Sequence, residues 1–539
     1  MDLKIMKERN EMKKLISVMI ILTLMTTIAF AEQGENWISA LKNTIQVTLN
    51  GEAVAADNLL YEGRTYVQLR EISNMIGADL SWDEITQTAD LKLEQTQAPV
   101  NADTGTFKKI ILNTYIDPLI SYAELGTTQQ ALYGVAFEGA SKDMRYALTS
   151  EGLQIYGSFS IGTEVDMILV QKDYGLIKRT LVGDDLPKVQ RESDYQVIFV
   201  PADPSKGFNF PYMIRIPSEN MVKYRTEKDY LMVDMLNNGN GHSLAQCIED
   251  AKEQLSEMWY LSMQRSQEFG FPIMMPIVPR TGVPVDETDF GQSRLYEHAL
   301  DRASVYVREL TQSGKFASRN MANYDYYEVD PTLYYDFDDQ IKAMITHALD
   351  YLNTNNFGLE DKVIMDGYSA SGTFTDRFTN LHPEIVKMVI SGATLDDMML
   401  PTDTYKGETL NFPVGTADFK AITGKAFDME AHNKVARLIY MGKNDTNNTV
   451  DFLDCYFEGT QSQINKLFGN PVLPRALENI ELYGKSGGHG LFILDQGIEH
   501  GTSYEMNQYI NTFILANLKS DTPVYPPVNY TNLEATVFE

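Results

Sequence analysis

The stretch KVIMDGYSASGTFTDRF, residues 362–378, contains the strongest structural signal in the chain. KVIMD is an apolar run typical of a buried strand, and the residues after GYSAS are typical of a helix. The small residues between them predict a sharp turn from strand to helix, because the backbone is crowded where the chain changes direction. Ser369 lies at the apex of this turn, with Gly367 two residues before it and Ser371 two residues after it. Such a turn would lift the Ser369 side chain clear of the sheet.

Ser371 is the other candidate for the apex. Its neighbours at the crowded positions would be Ser369 and Thr373, and a β-branched threonine fits poorly there. We therefore expect Ser369 at the apex, with Ser371 replacing the second glycine of the G-x-S-x-G pattern. The motif alone also fits an ordinary turn of small residues, so its meaning depends on finding a base and an acid.

A serine hydroxyl becomes a nucleophile only beside a base that is oriented by an acid. In α/β-hydrolases these follow in the order serine, acid, histidine, and each comes after a strand. ARLIYMG, residues 436–442, has the pattern of a strand, and Asp445 lies in the loop after it. NIELYG, residues 479–484, is interpreted as a further strand, and the glycine-flanked His489 follows it. We therefore predict the triad Ser369, Asp445 and His489.

The chain has seven histidines, so other bases must be weighed. His500, nearer the final helix, is the alternative base, whereas His347 and His382 fit structural roles. Asp451 and Asp454 fit solvated surface positions better than the role of the acid.

An acyl-transfer site also needs backbone donors for the oxyanion. The N–H of Ala370 is the first, because it follows the nucleophile at the start of a helix. The second is expected from Asn238 or Gly239 in VDMLNNGNG, a loop that also fits a plain Asn/Gly turn.

Short apolar strands alternate with helices from about residue 195 onward, which predicts an α/β domain with a mostly parallel sheet covered by helices on both faces. Residues 195–518 resemble secreted α/β-hydrolases of the serine esterase type. The motifs that carry this resemblance are VDMLNNGNG, PIVPR, YEHALDR and SASGTFTDRFTNLHPE. The resemblance implies the α/β-hydrolase fold and a serine mechanism, and leaves the ester open.

Three further expectations concern the surroundings of this site. His298 in YEHALDR lines the substrate pocket or makes a structural contact with a neighbouring acid. Residues 392–435 are expected to cover the site as a lid. Residues 519–539, which contain three prolines, are expected to form an irregular tail.

The N-terminal third is organised differently. Residues 1–31 have the pattern of a secretory signal peptide that is cleaved after Ala31, and their apolar run is shorter than the roughly 20 residues that span a bilayer. Residues 38–96 form a small α+β module, and 97–106 form a polar linker. Residues 107–194 are an extension of uncertain fold that includes a predicted helix from Pro118 to Leu132.

The module resembles the copper amine oxidase N-terminal-like domain, a stalk module of secreted proteins of Gram-positive bacteria. The resemblance rests on Leu49-Asn50-Gly51, Gly63 to Val67, Leu69-Arg70-Glu71, Gly77-Ala78 and Trp82-Asp83. The module contains neither histidine nor cysteine, so no copper site is expected in it. An attachment role at the cell wall fits it better.

Composition excludes several classes of partner. The net charge of −29 repels nucleic-acid phosphates and anionic membrane surfaces. No metal-binding, Rossmann or P-loop pattern occurs, so we expect neither a metal nor another cofactor. Cys247 and Cys455 both lie in predicted helices, and we expect no disulfide.

The sequence therefore predicts an exported serine hydrolase that cleaves carboxylic esters through an acyl-enzyme. Two alternatives remain open. The first is a peptidase or polyester depolymerase on the same fold, since the fold does not decide the substrate. The second is a cell-surface binding protein with an inactive hydrolase domain.

Overall fold

The structure is a computed structural model of the 539-residue chain. It describes residues 41–42, 47–49, 52–54, 58–61, 64–67, 78–83, 88–93, 110–112, 119–138, 144–156, 164–171, 176–183, 186–237, 244–258, 260–279, 284–285, 293–294, 299–308, 331–451 and 458–539. The chain divides into two compact units, Met1–Pro99 and Val100–Glu539. Within the described residues, no helix combines the length and apolar character needed to cross a membrane.

The first unit contains the strands of the predicted N-terminal module. They are β1 (Leu41–Lys42), β2 (Val47–Leu49), β3 (Glu52–Val54), β4 (Asn58–Tyr61), β5 (Arg64–Val67), β6 (Ala78–Asp83) and β7 (Thr88–Leu93). They pair as β1-β4-β5, β2-β3 and β6-β7, all antiparallel. The predicted signal peptide lies outside the described residues.

The second unit begins with a small β region. Its strands are β8 (Ile110–Leu112), β9 (Leu119–Ser121), β10 (Leu132–Glu138), β11 (Arg145–Leu148), β12 (Gly152–Tyr156), β13 (Glu164–Gln171) and β14 (Leu176–Gly183). They form two sheets, β10-β13-β14-β8 and β11-β12-β9, around a shared apolar core. The predicted helix from Pro118 to Leu132 is wrong: Leu119–Ser121 pairs with β12 and buries Ile120, and only a single 3₁₀ turn, Gln129–Ala131, follows.

A nine-stranded sheet dominates the second unit. Its strands are β15 (Gln196–Val200), β16 (Tyr212–Ile216), β17 (Met232–Val233), β18 (Ile273–Pro276), β21 (Val363–Tyr368), β22 (Val386–Gly392), β25 (Ala436–Gly442), β26 (Gly490–Asp495) and β27 (Leu533–Phe538). Short pairs are added by β19 (Pro284–Val285) with β20 (Ser293–Arg294) and by β23 (Thr404–Tyr405) with β24 (Glu408–Thr409).

The strand order is β15-β16-β18-β17-β21-β22-β25-β26-β27. The six neighbouring strands β18, β17, β21, β22, β25 and β26 run parallel to one another, and β15, β16 and β27 pair antiparallel. With helices on both faces and a serine turn after the central β21, this is the predicted α/β-hydrolase fold.

Ten α-helices lie in the described part of this unit. They are α1 (Leu244–Ser256), α2 (Leu261–Phe269), α3 (Arg302–Val305), α4 (Phe337–Thr354), α5 (Ala370–Leu381), α6 (Phe419–Thr423), α7 (Met429–Asn433), α8 (Glu458–Phe468), α9 (Val472–Lys485) and α10 (Tyr504–Leu518). Helices α4 and α5 cover one face of the sheet, and α1, α2 and α10 cover the other.

Two expectations about the C-terminal part are wrong. Residues 479–484, interpreted as a strand, belong to α9, whose buried Val472, Ala476 and Ile480 repeat every four residues. The last parallel strand is instead β26, which begins directly after His489. The tail 519–539 is irregular only as far as residue 532, because β27 pairs along the whole length of β26.

Candidate active site

Ser369 lies between β21 and α5 in a strained backbone conformation. Its φ of 60° and ψ of −127° are rare for any residue except glycine. Its N–H donates to the Gly392 carbonyl at 2.9 Å, and its carbonyl accepts from the Thr373 N–H at 2.9 Å. The structure thus places Ser369 at the apex of the turn, half-buried at the carboxyl edge of the sheet.

The small residues around Ser369 are explained by close backbone contacts. A Cβ atom on Gly367 would lie 2.4 Å from the Ser371 carbonyl oxygen. The buried Ser371 hydroxyl accepts from the Tyr368 N–H at 3.0 Å and donates to the Tyr368 carbonyl at 3.1 Å. The serine that replaces the second glycine of the motif therefore adds hydrogen bonds across the turn.

Asp445 occupies the loop after β25, as the sequence predicts. Its side chain is almost fully buried, and its Oδ1 accepts from the Asn447 N–H at 2.8 Å. Its Oδ2 lies 2.7 Å from Nδ1 of His500. Both carboxylate oxygens of Asp445 therefore make a hydrogen bond, and Oδ2 orients the imidazole of His500.

The prediction that His489 serves as the base is wrong, because the imidazole on Asp445 is that of His500. His489 lies at the beginning of β26, whereas Ser369 follows the end of the parallel β21. The six residues of β26 separate the two edges of the sheet by roughly 20 Å. The backbone N–H of His489 donates to Asn433 Oδ1 at 2.9 Å, away from the site. The error follows from the wrong strand at 479–484, which placed this loop after a strand instead of before one.

His500 lies in the loop between β26 and α10, next to the serine turn. Its ring packs edge-on against Tyr368 with 5.3 Å between ring centroids. The Tyr368 hydroxyl donates to the Gly501 carbonyl at 2.9 Å, which holds this loop against the turn. Ser369 and His500 line the same cavity, of about 480 Å³. Its other walls come from the ends of β17 and β21, from α1 and α2, and from residues 501–502.

Buried ionisable side chains line the cavity. Arg265 on α2 makes a bidentate ion pair with Asp366 on β21, at 2.5 and 2.6 Å. Asp234, just after β17, accepts from the Ser262 hydroxyl at 2.5 Å. Burial raises the pKa of Asp234 to about 7, and the hydrogen bond from Ser262 opposes this shift. Among the described residues of the site, the guanidinium of Arg265 is thus fully paired, and Asp234 is an additional acid.

Of the predicted oxyanion donors, the structure describes Ala370 but not Asn238 or Gly239. Ala370 begins α5, and the first N–H groups of a helix lack acceptors within the helix. Asn238 and Gly239 lie outside the described residues, as does His298. Asn237, immediately before them, lines the cavity.

The predicted lid does not line the described walls of the cavity. Its segment 392–435 contributes none of the described lining residues. Instead Leu395, Met398 and Leu410 are buried in a core shared with α8 and α9. This segment packs with α8 and α9 against β25 and β26, so the expectation of a cover is wrong for this part of the structure.

Among the described residues, one group of side chains approaches the geometry of a cation site. Ligand atoms of Asp338, Asp339 and His382 lie within 4.8 Å of one another. His382 Nε2 is 3.0 Å from Asp338 Oδ2, which is the geometry of an ordinary ion pair. Cys247 is buried in α1, and Cys455 lies outside the described residues.

The strand order and the helices define an α/β-hydrolase fold, and a serine lies at the apex of the turn after its central strand. Residues 26–110 match the family model of the copper amine oxidase N-terminal domain. This match confirms the module predicted at 38–96 and extends beyond it on both sides. No curated protein sequence matches the chain.

Solved structures similar to this chain include several hydrolases. A poly(aspartic acid) hydrolase from Sphingomonas sp. KT-1 is 13% identical, with a TM-score of 0.35, and covers 60% of this chain and 98% of its own. A poly(3-hydroxybutyrate) depolymerase from Bordetella parapertussis is 13% identical, with a TM-score of 0.35, over 60% of this chain and 90% of its own. An S-formylglutathione hydrolase from Agrobacterium tumefaciens is 12% identical, with a TM-score of 0.30, over 62% and 99%. These likenesses are too distant to indicate which reaction this chain performs.

Proposed function

We propose that this protein is an exported serine hydrolase that cleaves carboxylic esters, with Ser369 as nucleophile, His500 as base and Asp445 as orienting acid. The observation that carries the proposal is the 2.7 Å contact between Asp445 and His500, because the imidazole of His500 lines the same cavity as the strained Ser369. Export follows from the signal-peptide pattern of residues 1–31. The N-terminal module would then attach the enzyme at the cell wall.

The order of proton transfers follows from the hydrogen bonds. When His500 Nδ1–H donates to Asp445, the lone pair lies on Nε2, which is the atom free to act as base. His500 takes the Ser369 proton as the oxygen attacks the ester carbonyl, and then gives it to the departing alcohol. Water then attacks the acyl-enzyme with the same proton transfers through His500, and the carboxylic acid is released. The Ala370 N–H supports the oxyanion in both steps.

A catalytic role is favoured over a binding role by the cost of the serine conformation. A residue held in a rare backbone region costs of order 1–3 kcal/mol. Such strain at the apex of the turn, beside an oriented imidazole, fits catalysis better than a passive surface.

The test compares three variants of the full chain in hydrolysis of p-nitrophenyl butyrate and in labelling by a fluorophosphonate probe. Ser369→Ala should lose both activities. His500→Gln should reduce the rate by about 10³-fold or more. His489→Gln is the matched control and should keep the wild-type rate. Wild-type protein that neither labels nor turns over esters would favour the binding protein. Loss of activity in His489→Gln but not in His500→Gln would refute the assignment of the base.

A further inference from the structure

Gln254 occupies a position where helix α1 otherwise presents apolar side chains. The buried face of α1 consists of Leu244, Cys247, Ile248, Ala251 and Leu255. Gln254 follows Ala251 by three residues, so it lies on the same face. It is only 3% exposed. A glutamine at such a position needs a reason, because polar side chains are rarely buried without one.

Gln254 lines the cavity, and its side chain has no hydrogen-bond partner within the part of the chain that the structure describes. Gln254 is one of the residues that line the cavity next to Ser369, and no described residue donates to its amide or accepts from it. An apolar group that covered this amide and excluded water from it would leave it without a hydrogen bond, at a cost of about 1–3 kcal/mol. A ligand that offers a hydrogen-bonding group to the amide avoids this cost.

The position of His500 indicates which part of a substrate reaches Gln254. The side chain of His500 is 36% exposed, so it lies at the mouth of the cavity. It must give its proton to the departing alcohol, which therefore leaves toward solvent. The acyl group then points into the cavity. This step rests on the proposed function.

We propose that Gln254 is a specificity residue, whose amide binds an uncharged hydrogen-bonding group, a hydroxyl or an amide, on the acyl chain of the substrate. A plain alkyl chain would leave the amide unsatisfied. A carboxylate would find no available cation among the described lining residues, because the guanidinium of Arg265 is already engaged by Asp366 in two hydrogen bonds. The site therefore selects against both apolar and anionic acyl groups.

The test uses two p-nitrophenyl esters of nearly equal size, the 3-hydroxypropanoate and the butanoate. The ratio of their kcat/KM values is measured in wild type and in Gln254→Leu. One recovered hydrogen bond predicts a wild-type preference for the hydroxy ester of about tenfold or more. Gln254→Leu should bring the ratio close to one, mainly by slowing the hydroxy ester. The control Gln246→Leu changes an exposed glutamine on the same helix and should keep the wild-type ratio.

Gln254→Met is measured together with Gln254→Leu, so that the test still stands if one of the two variants fails to fold. Thermal melting checks the fold of both variants. Where turnover is slow, protection of Ser369 from the fluorophosphonate by each ester gives the same ratio. Equal kcat/KM for the two esters in wild type, or an unchanged preference in the Gln254 variants, would overturn this proposal. Continued labelling of Ser369 would show that the proposed function survives. Wild-type protein that is not labelled would contradict both the role of Gln254 and the proposed function.

Discussion

Asp445→Asn should separate the shape of the orienting residue from its charge. Asp445 Oδ1 accepts from the Asn447 N–H, and an asparagine carbonyl oxygen can keep this bond. The new NH₂ group would then point at His500 Nδ1, where the wild type has the acceptor Oδ2. A donor there requires Nδ1 to accept, which moves the ring hydrogen to Nε2. Nε2 is the atom that must take the serine proton, so the variant holds the imidazole in the wrong tautomer.

The size of the effect follows from this exchange. A triad with the wrong tautomer loses about 10⁴-fold in kcat, a figure established for the same substitution in another serine hydrolase. That loss corresponds to roughly 5.5 kcal/mol of transition-state stabilisation. The KM should change little, because Asp445 is buried beneath His500 and is not among the described residues that line the cavity.

The assay is steady-state hydrolysis of p-nitrophenyl butyrate together with the rate of fluorophosphonate labelling, and circular dichroism verifies the fold. Both rates should fall in parallel, since both depend on the same proton transfer. An Asp445→Asn variant that keeps its activity within about tenfold of wild type would refute the role of Asp445, because the tautomer argument leaves no smaller loss.

Three further predictions concern the structure around the site. Gly367→Ala should abolish labelling and lower the free energy of unfolding by about 1–3 kcal/mol in a urea melt, because the new Cβ meets the Ser371 carbonyl; unchanged labelling would contradict this. Asp366→Asn should cost about 3–5 kcal/mol in the same melt, since it leaves the charge of Arg265 buried and unpaired, and a loss below about 1 kcal/mol would contradict it. Burial lowers the pKa of His382, but hydrogen bonds to Asp338 and Glu384 outweigh burial and raise it above its usual value near 6.5. The protonated ring therefore stabilises the fold at low pH and loses this effect as pH rises through the raised pKa, so the stability difference between wild type and His382→Asn should be larger at about pH 5.5 than at about pH 8; an equal difference would contradict the shift.

The sheet and the turn at Ser369 could be predicted because their signals are local. The strands at 363–368, 386–392 and 436–442 are nearly continuous apolar runs, as in parallel strands buried on both faces. The turn at Ser369 needs small residues at fixed offsets, and these are visible in the sequence. The position of Asp445 in the loop after β25 could be predicted in the same way.

The histidine could not be predicted reliably, because its choice depends on the type of one short segment. Residues 479–484 mix Ile, Leu and Tyr with polar residues and fit a strand as well as the end of a helix. The longer window from Val472 shows the spacing of four that indicates a helix, and GLFILD after His489 then remains as the strand. With that correction, His500 is the histidine that follows the last parallel strand.

The polar residues that line the cavity could be recognised only in the three-dimensional structure, not from the sequence. The pattern of α1 shows that Gln254 interrupts an apolar face, but it does not show that this face meets a cavity beside Ser369. The same holds for Asp234 and Arg265, which are far apart in the sequence and come together only through the crossover between β17 and β21.

The antiparallel β27 has a consequence for how the protein behaves at high concentration. Every residue of β26 is buried, so without a neighbour its free backbone groups would offer an apolar template for strands of other molecules. β27 occupies that edge and turns residues 534–537 toward solvent, where Glu534 pairs with Lys443. A chain that lacks residues 533–538 would therefore be prone to aggregate during expression, even if its catalytic residues were intact.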